Sequence, residues 1–542
     1  MKIKKSTKYI FITGGVISGI GKGIASASIG YLLKARGFKV TIQKFDPYIN
    51  IDPGTMSPFQ HGEVFVLEDG TETDLDLGHY ERFIDENMNV RNCNTSGKIY
   101  YEVINRERRG DYLGATIQVI PHITDEIKRR ITAVNSDSAY DIVITEVGGT
   151  VGDIESQPFL EAIRQFHTDV GRGNCIDIHL TLVPYIETSG EIKTKPTQHS
   201  VMRLREIGIQ PEILLCRSKL HLDENVRKKI ALFCNVVPEA VIEAIDVETI
   251  YEIPLIYDKQ GLGDRIIDLL GLPRRKPDLK KLAKFVNAIK TPAHEISIAI
   301  CGKYTSLHDA YKSIIESFVH AGAENNTRVR IEWIEAEDLA KDCEVINRVK
   351  NVDGILIPGG FGEHGIKGKV NAIQIARENG IPFLGICLGM QCAVIELARN
   401  VCGWREAHST EFNDNTQYPV IDLMEEQKRI SNKGGTMRLG AYPAQVRPGT
   451  LAHKIYQTTE ISERHRHRYE VNNLYLDELI KTGLIVGAVN KELNLVEMIE
   501  IKNHPWFIGC QFHPELKSRI GKAHPLFREF VRAALEYRQK KG

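Results

Sequence analysis

The stretch Tyr9-Ile-Phe-Ile-Thr-Gly-Gly-Val-Ile-Ser-Gly-Ile-Gly-Lys22 decides the fold of the first half of the chain. Its apolar start predicts a buried strand, and its glycine-rich end predicts a loop. A helix is predicted over about Ile24–Arg36 with Gly37 as its stop, and the next strand over Val40–Gln43. Strand, glycine loop, helix and strand form one βαβ unit, so we predict an α/β domain.

The same pattern continues along the chain and then starts afresh. Apolar runs predict strands at Ile142–Val147, Ile176–Val183 and Ile213–Cys216, a short helix at Glu239–Asp246, and a second set of strands at Ile296–Cys301, Val329–Trp333, Gly354–Ile357 and Pro382–Ile386. We therefore predict two doubly wound α/β domains, 1–272 and 296–542, joined by a basic linker over 273–295. A surface helix of the first domain is the alternative for that segment.

Composition narrows the class of protein. The 542 residues are too many for one hydrophobic core. Because 70 Lys and Arg balance 70 Asp and Glu, no bulk charge attracts nucleic acid or an anionic membrane. The ten cysteines show no zinc-binding spacing, which is typical of reduced thiols. The apolar run after Lys2, Lys4 and Lys5 is short for a signal peptide, so we expect a cytoplasmic protein.

The glycine loop suits a phosphate group. Backbone N–H groups and the helix dipole can hold phosphates there, and Lys22 can neutralise their charge. The spacing departs from the Walker A pattern, and Gly23 stands where a serine or threonine would bind magnesium. Magnesium would then need other oxygens, for which Asp74, Asp76 and Glu146 are the candidates.

A second segment also suits a nucleotide. Lys193-Thr-Lys-Pro-Thr-Gln198 is predicted as a compact cationic loop that could hold another triphosphate, although such a loop alone is more often simply exposed. Asp153 and Glu155 could accept hydrogen bonds from a sugar or a base.

The second half carries a different chemistry. Gly385-Ile-Cys-Leu-Gly389 places Cys387 at a turn between a predicted strand and a helix, where the helix N-terminus favours a thiolate. Far downstream, His513-Pro-Glu515 supplies a histidine base and a carboxylate that would orient it. Cys387 alone would more often be structural, but the three groups together predict amide hydrolysis through a thioester.

Glycines near this site suit an oxyanion hole. Pro358-Gly-Gly-Phe-Gly362 follows a predicted strand and leaves backbone N–H groups available, and Leu388 would supply a second N–H beside Cys387. The segment Glu463-Arg-His-Arg-His-Arg-Tyr-Glu470 could by charge be a nucleic-acid patch, but its glutamates and the neutral chain favour a small anionic ligand.

Long strings of sequence resemble the CTP synthases, and the resemblance spans nearly the whole chain. The strings lie at residues 45–58, 61–66, 73–82, 146–155, 385–391, 434–440, 463–472 and 511–515. The resemblance implies an amidoligase domain with a phosphate loop, followed by a class I glutamine amidotransferase domain. It implies that ATP phosphorylates the 4-oxygen of UTP and that ammonia from glutamine, carried through an internal tunnel, displaces the phosphate to give CTP.

The resemblance also implies roles for individual residues. Cys387, His513 and Glu515 would be catalytic, and Asp76 and Glu146 would bind Mg²⁺. ATP would contact Gly19, Ile20, Gly21, Lys22, Gly23, Ile24, Asp76 and Val247. UTP or the feedback inhibitor CTP would contact Ser18, Asp153, Ile154, Glu155, Lys193, Thr194, Lys195, Pro196, Thr197, Gln198 and Lys229. Glutamine would contact Gly360, Leu388, Gly389, Met390, Gln391, Glu411 and Arg468.

GTP would act as an allosteric activator at the segment Gly434–Gly440, and nucleotides would assemble a homotetramer. Two alternatives remain open. A cofactor-amidating synthetase would keep both chemistries but change the acceptor, and a switch or filament protein would carry an inactive amidotransferase domain. The cationic segment Lys193–Gln198 favours a triphosphate acceptor, and the presence of Cys387, His513 and Glu515 disfavours an inactive domain.

Overall fold

The computed structural model describes residues 7–54, 56–57, 59, 62–136, 140–303, 305–423 and 437–541. The chain divides into two compact units. Unit 1 is Met1–Pro53 with Asp76–Val286, and unit 2 is Gly54–Leu75 with Asn287–Gly542. In the described ranges no helix is both long and apolar enough to cross a membrane.

Unit 1 is built around a seven-stranded parallel sheet in the order β7-β6-β5-β1-β4-β2-β3. The strands are β1 (Lys8–Gly14), β2 (Val40–Asp46), β3 (Cys93–Thr95), β4 (Ile142–Val147), β5 (Cys175–Leu182), β6 (Ile213–Ser218) and β7 (Val241–Ile245). The central strand β1 is buried on both faces, which explains its continuous apolar run. The carboxyl ends of these strands form the edge at which ligands of such sheets bind.

Helices flank this sheet. They span Lys22–Ala35, Leu75–Ile84, Ser96–Arg108, Thr124–Ala133, Gln157–Val170, Lys195–Glu206, Glu224–Cys234, Ile253–Lys259, Leu262–Leu269 and Lys280–Lys290. The last of these lies in the predicted linker. Its buried Leu282, Phe285 and Val286 belong to unit 1, and Phe285 packs edge-on against Tyr251, which favours the alternative of a surface helix of the first domain. The exact domain boundaries stay a prediction.

Unit 2 contains a nine-stranded mixed sheet in the order β9-β8-β10-β11-β16-β15-β14-β12-β13. The strands are β8 (His294–Gly302), β9 (Thr327–Glu335), β10 (Gly354–Ile357), β11 (Phe383–Ile386), β12 (Arg438–Val446), β13 (Glu460–His467), β14 (Leu484–Asn490), β15 (Leu495–Ile501) and β16 (Phe507–Cys510). Five neighbouring strands of this sheet, β9, β8, β10, β11 and β16, run parallel. The pairings of the other four, β15, β14, β12 and β13, are antiparallel.

The helices of unit 2 are Lys312–Glu324, Cys343–Lys350, Ile366–Asn379, Leu388–Asn400, Leu451–Tyr456, Leu476–Lys481 and Pro525–Lys541. A small sheet of Ala407–Ser409, Tyr418–Leu423 and Tyr469–Val471 and a hairpin of Phe65–Val66 and Glu72–Thr73 complete it. The predicted α/β fold class is confirmed in both halves.

One predicted helix is wrong. Glu239–Asp246 was expected to form a helix, but Pro238–Ala240 makes a single 3₁₀ turn and Val241–Ile245 forms β7, parallel to β6. Val241 and Ile242 are buried, and β-branched side chains of this kind pack well on a sheet. The unpaired edge of β6 therefore outweighs the helix propensity of the alanines and glutamates nearby.

Candidate functional site

The glycine loop of unit 1 connects β1 to the helix Lys22–Ala35. Gly21 precedes the helix with a φ of 99°, and Val16 takes a φ of 78°, which is uncommon for a β-branched residue and typical of strained functional loops. Lys22 folds back over the loop, and its Nζ donates to the carbonyl of Gly149 at 2.6 Å. Burial lowers the pKa of Lys22 against the opposing charge of Glu146.

The carboxylates of Asp76 and Glu146 lie near Lys22. Lys44 is ion-paired with Asp76 and lies 3.2 Å from Asp46, and Lys44 and Glu146 are register partners on β2 and β4. Burial and the charge of Asp76 raise the pKa of Glu146 to about 7. Burial acts against ionisation of Asp76, but Lys44 lowers the pKa of Asp76 below its ordinary value.

Gly23 shows how the departure from Walker A is resolved. A Cβ on Gly23 would lie only 1.9 Å from Oδ1 of Asp76. The carboxylate of Asp76 therefore occupies the space that a serine or threonine side chain would need. A carboxylate from another helix thus lies where the missing hydroxyl would be, and it could serve as the oxygen ligand in its place.

The donor set fits a magnesium ion. Among the described residues no group of three or more His, Cys, Asp or Glu could hold a metal. Unit 1 does bring the two carboxylates of Asp76 and Glu146 close together. Mg²⁺ is usually held by one or two carboxylates together with phosphate oxygens and water. An ion there would offset the burial and the charge of Asp76 that raise the pKa of Glu146.

The segment predicted as a cationic loop is in large part helical. Lys195 begins the helix Lys195–Glu206, with Pro196 in its first turn, so only Lys193 and Thr194 lie outside it. This is a correction of the predicted loop, and a helix N-terminus is the better anion site. Thr197 and Gln198 are buried, and they donate to the carbonyl of Leu182 and the hydroxyl of Thr194.

The other predicted nucleotide contacts lie on the same unit. Lys229 is exposed and, with Lys193, lowers the pKa of Glu191. Asp153 accepts hydrogen bonds from the backbone and hydroxyl of Thr150, which leaves Ile154 and Glu155 exposed beside it. Ser18 and Gly19 are exposed on the loop, and a narrow crevice at Ile20, Gly21 and Ile24 extends to Ile245, two residues before Val247.

In unit 2, Cys387 sits at a sharp elbow between β11 and the helix Leu388–Asn400. Its backbone has a φ of 52° and a ψ of −104°, a conformation that costs about 1–3 kcal/mol and that marks functional turns. Gln511 donates to the Cys387 sulfur at 3.6 Å, and the carbonyl of Arg466 lies 3.9 Å from it. The amide of Leu388 starts the helix and therefore has no intrahelical acceptor.

His513 follows β16 and is paired with Glu515. Nδ1 of His513 lies 2.7 Å from Oε1 of Glu515, and Nε2 is buried without a hydrogen-bond partner in the described chain. Burial opposes the charged imidazole, but the nearby carboxylate of Glu515 and then Cys387 raise the pKa of His513 to about 10. The arrangement favours a charged imidazolium beside the Cys387 sulfur.

These groups line a cavity of about 360 Å³ within unit 2. The glycines Gly359 and Gly360 form one wall, and a Cβ on Gly359 would lie 2.7 Å from Cε1 of His513. Gly389 is equally constrained, because a Cβ there would lie 2.2 Å from the carbonyl of Ile357. Of the predicted oxyanion glycines, Gly359 thus lies against both His513 and Cys387.

Two arginines of the segment 463–470 form ion pairs within unit 2, and the small anionic ligand expected at this segment stays a prediction. Arg464 is fully buried and pairs with Glu68 at 3.0 Å, and Arg466 pairs with Glu72 at 2.8 Å. Both glutamates belong to unit 2. Strand β13 also positions His513, since the backbone N–H of His513 donates to the carbonyl of Arg464 at 2.8 Å.

Comparisons with known proteins match this architecture. The sequence profile of the CTP synthase N-terminus matches residues 8–272, and that of class-I glutamine amidotransferases matches residues 306–533. A CTP synthase of Ruminiclostridium cellulolyticum is 58% identical over 99% of this chain and 100% of its own length. The chain belongs to the CTP synthase family. CTP synthases of Caldanaerobacter subterraneus (59% identical, 97% of this chain, 98% of theirs) and Methanocaldococcus jannaschii (59%, 98% and 99%) are similar to it as well.

The remaining predicted glutamine contacts of this CTP synthase family member are not among the residues that line the cavity, and part of its predicted GTP segment lies outside the described residues. Glu411 accepts from the N–H of Gly362 at 3.2 Å and lies near enough to Arg468 for their charges to interact. Gln391 donates to the carbonyl of Tyr469 at 2.9 Å, and Met390 is buried. Of the predicted GTP segment, residues 434–436 lie outside the described residues.

Several site residues were not predicted. Lys44, Ser26 and Tyr80 contact the two acidic residues of unit 1, and Gln511 contacts the nucleophile of unit 2. A lysine inside the predicted strand after the loop was the one available signal, because a charge within a buried strand needs a partner.

Proposed function

We propose that this chain makes CTP from UTP and ATP, with nitrogen taken from glutamine or from free ammonia. The observation that carries the proposal is the pairing of two complete sites in one chain. Unit 2 holds Cys387, His513 and Glu515 in one cavity, and unit 1 holds Lys22 beside Asp76 and Glu146 at a phosphate-type loop. Membership of the CTP synthase family supports the choice of UTP as acceptor.

In unit 2 the thiolate of Cys387 attacks the carboxamide carbon of glutamine. The C–N bond breaks as the imidazolium of His513 gives its proton to the leaving nitrogen, so ammonia departs and a thioester remains. Water then hydrolyses the thioester with His513 as base, which releases glutamate. We assign stabilisation of the oxyanion to the amides of Leu388 and Gly360, and such a donor contributes about 3–4 kcal/mol in other enzymes.

In unit 1 the 4-oxygen of UTP attacks the γ-phosphorus of ATP, and ADP leaves. Lys22 and the loop amides hold the phosphates and neutralise charge as it builds up. Mg²⁺ held by Asp76 and Glu146 would supply further charge neutralisation. Ammonia then adds at C4 and phosphate leaves, which yields CTP.

The contacts of UTP are assigned to the first turn of the helix Lys195–Glu206 together with Lys193, Lys229, Ser18 and the 153–155 segment. Regulation is part of the proposal: GTP activates glutamine use, CTP inhibits by taking the UTP site, and nucleotides assemble a homotetramer. The enzyme acts in pyrimidine nucleotide biosynthesis, and we place it in the cytoplasm.

A direct assay tests this function. The protein is incubated with UTP, ATP, Mg²⁺ and either glutamine or ammonium, with and without GTP, and CTP is followed by its absorbance. We expect CTP with either nitrogen source and faster glutamine use with GTP. Glutamate release without CTP, or amidation of a carboxylate acceptor in place of UTP, would exclude the proposal.

Replacing Gly359 by alanine should impair glutamine hydrolysis selectively. The added Cβ would meet Cε1 of His513 at 2.7 Å and force the imidazole away from Cys387. A misplacement of about 1 Å costs roughly 100-fold in rate, so a loss of that order is expected in glutamate release. CTP formation from ammonium is the internal control and should persist; an unchanged rate of glutamate release would show that the contact has no catalytic role.

Replacing Glu515 by glutamine should shift the pH dependence of glutamine hydrolysis. Burial opposes the imidazolium, and Glu515 is the first of the groups that raise the pKa of His513 to about 10. Without that carboxylate the pKa of His513 falls, so the alkaline decline in rate should move to lower pH. Because the folded pKa lies above the unfolded one, the stabilisation from this pair is present in full below pH 6.5 and disappears as the pH rises towards 10. Coincident pH profiles of the two proteins would contradict the assignment.

A further inference from the structure

A chain of buried polar groups joins the phosphate loop of unit 1 to the helix Lys195–Glu206. Nδ1 of His179 lies 2.8 Å from the hydroxyl of Thr13, and Nε2 lies 2.7 Å from the hydroxyl of Ser200. All three side chains are buried, and Thr13 and His179 are register partners on β1 and β5. The imidazole therefore spans from the end of β1, where the loop begins, to the second turn of that helix.

The backbone of the loop also lies close to Ser200, the last group of this series of hydrogen bonds. A Cβ on Gly15 would lie 1.5 Å from Oγ of Ser200 and 2.9 Å from Nε2 of His179. The N–H of Gly15 also donates to the carbonyl of Leu180, the residue after His179. The position of the helix is thus fixed directly against the first residues of the loop.

The imidazole can serve this role only when it is neutral. A neutral ring has one N–H donor and one acceptor nitrogen, and each of the two hydroxyls can supply the complementary group. Burial and the charge of Lys22 lower the pKa of His179 to about 3, so the ring is neutral at physiological pH. Both ring nitrogens of His179 then have a hydrogen-bond partner, one in Thr13 and the other in Ser200.

We propose that His179 is a positioning residue that couples the two nucleotide sites of unit 1. The inference rests on the proposed function, which assigns ATP to the loop and UTP to the first turn of the helix. A nucleotide that orders the loop fixes Thr13 and Gly15, and through His179 and Ser200 it fixes the helix turn that receives the other nucleotide. Each ligand should then strengthen binding of the other by the same factor.

The test measures that factor in the full-length protein. UTP binding is titrated by calorimetry with and without the β,γ-methylene analogue of ATP and Mg²⁺. The unmodified protein should bind UTP at least about fivefold more tightly with the analogue, at the lower end of usual coupling factors. In His179→Gln and in Ser200→Ala the factor should fall towards one, while glutamate release from glutamine stays unchanged.

A matched control separates coupling from loss of stability. Asn135 donates to the hydroxyl of Thr7 at 2.8 Å, and both are buried at the opposite end of the same central strand. Asn135→Ala should leave the coupling factor intact. Ser200→Ala removes a single hydroxyl and keeps the proposal testable if the histidine variant does not fold.

The outcomes distinguish the inference from the function beneath it. If the unmodified protein makes CTP but the variants keep their coupling factor, or Asn135→Ala loses it equally, the inference is overturned and the function stands. An unmodified protein that makes CTP and shows no coupling also overturns it. If no CTP forms from UTP, ATP and ammonium, the proposed function fails first.

Discussion

Replacing Cys387 by alanine will abolish CTP formation from glutamine and leave CTP formation from ammonium. Among the described residues that line the unit 2 cavity Cys387 is the only cysteine, and its loss would leave His513 without a thiol to activate. In other enzymes removal of the nucleophile costs roughly a millionfold in rate. Glutamate release and CTP formation are measured in parallel with each nitrogen source.

Cys392 supplies the matched control for this variant. It lies in the helix that Cys387 precedes, is buried, and is outside the proposed machinery. Cys392→Ala should retain both activities, which separates the loss of the nucleophile from a packing defect. Residual glutamine-dependent synthesis in Cys387→Ala, or equal loss of ammonium-dependent synthesis, would contradict two separate sites.

Replacing Lys22 by alanine will abolish CTP formation from both nitrogen sources and leave glutamate release. Its buried amine lies across the loop, where phosphates would bind, so its loss removes a positive charge from that position. Cationic groups that stabilise phosphoryl transfer contribute about a thousandfold or more. The readout is CTP formation from ammonium compared with glutamate release from glutamine.

Lys34 provides a control on the same helix. It is partly exposed in the last turn and pairs with Glu86 at 2.6 Å, away from the loop. Lys34→Ala should keep both activities. CTP formation that survives in Lys22→Ala would remove the phosphate loop from the account.

The sequence was sufficient wherever local pattern and tertiary environment agree. The apolar run of β1 and the elbow at Cys387 both follow this rule, because each is fixed by a few neighbouring residues and by a buried parallel sheet. The prediction failed for β7, because the preference of this segment for a strand over a helix depends on the open edge of β6. That edge is not visible in the residues of the segment.

Long-range pairing explains what else could not be predicted. Nothing in the sequence shows that Arg464 and Arg466 pair with Glu68 and Glu72, which lie almost 400 residues earlier. Gly23 is the complementary case, since the sequence showed that a hydroxyl is missing and only the fold shows Asp76 in its place. The strand that contains His179 was predicted, but the role of His179 was not, because its two hydrogen-bond partners come from separate elements.

The central claim is that nitrogen released in unit 2 is consumed in unit 1. It is tested most directly with glutamine labelled with ¹⁵N in its amide, supplied together with UTP, ATP, Mg²⁺ and GTP. Mass spectrometry should find the label in the 4-amino group of CTP, with one glutamate released for each CTP formed. Labelled ammonia in solution with UTP left unchanged would contradict the claim.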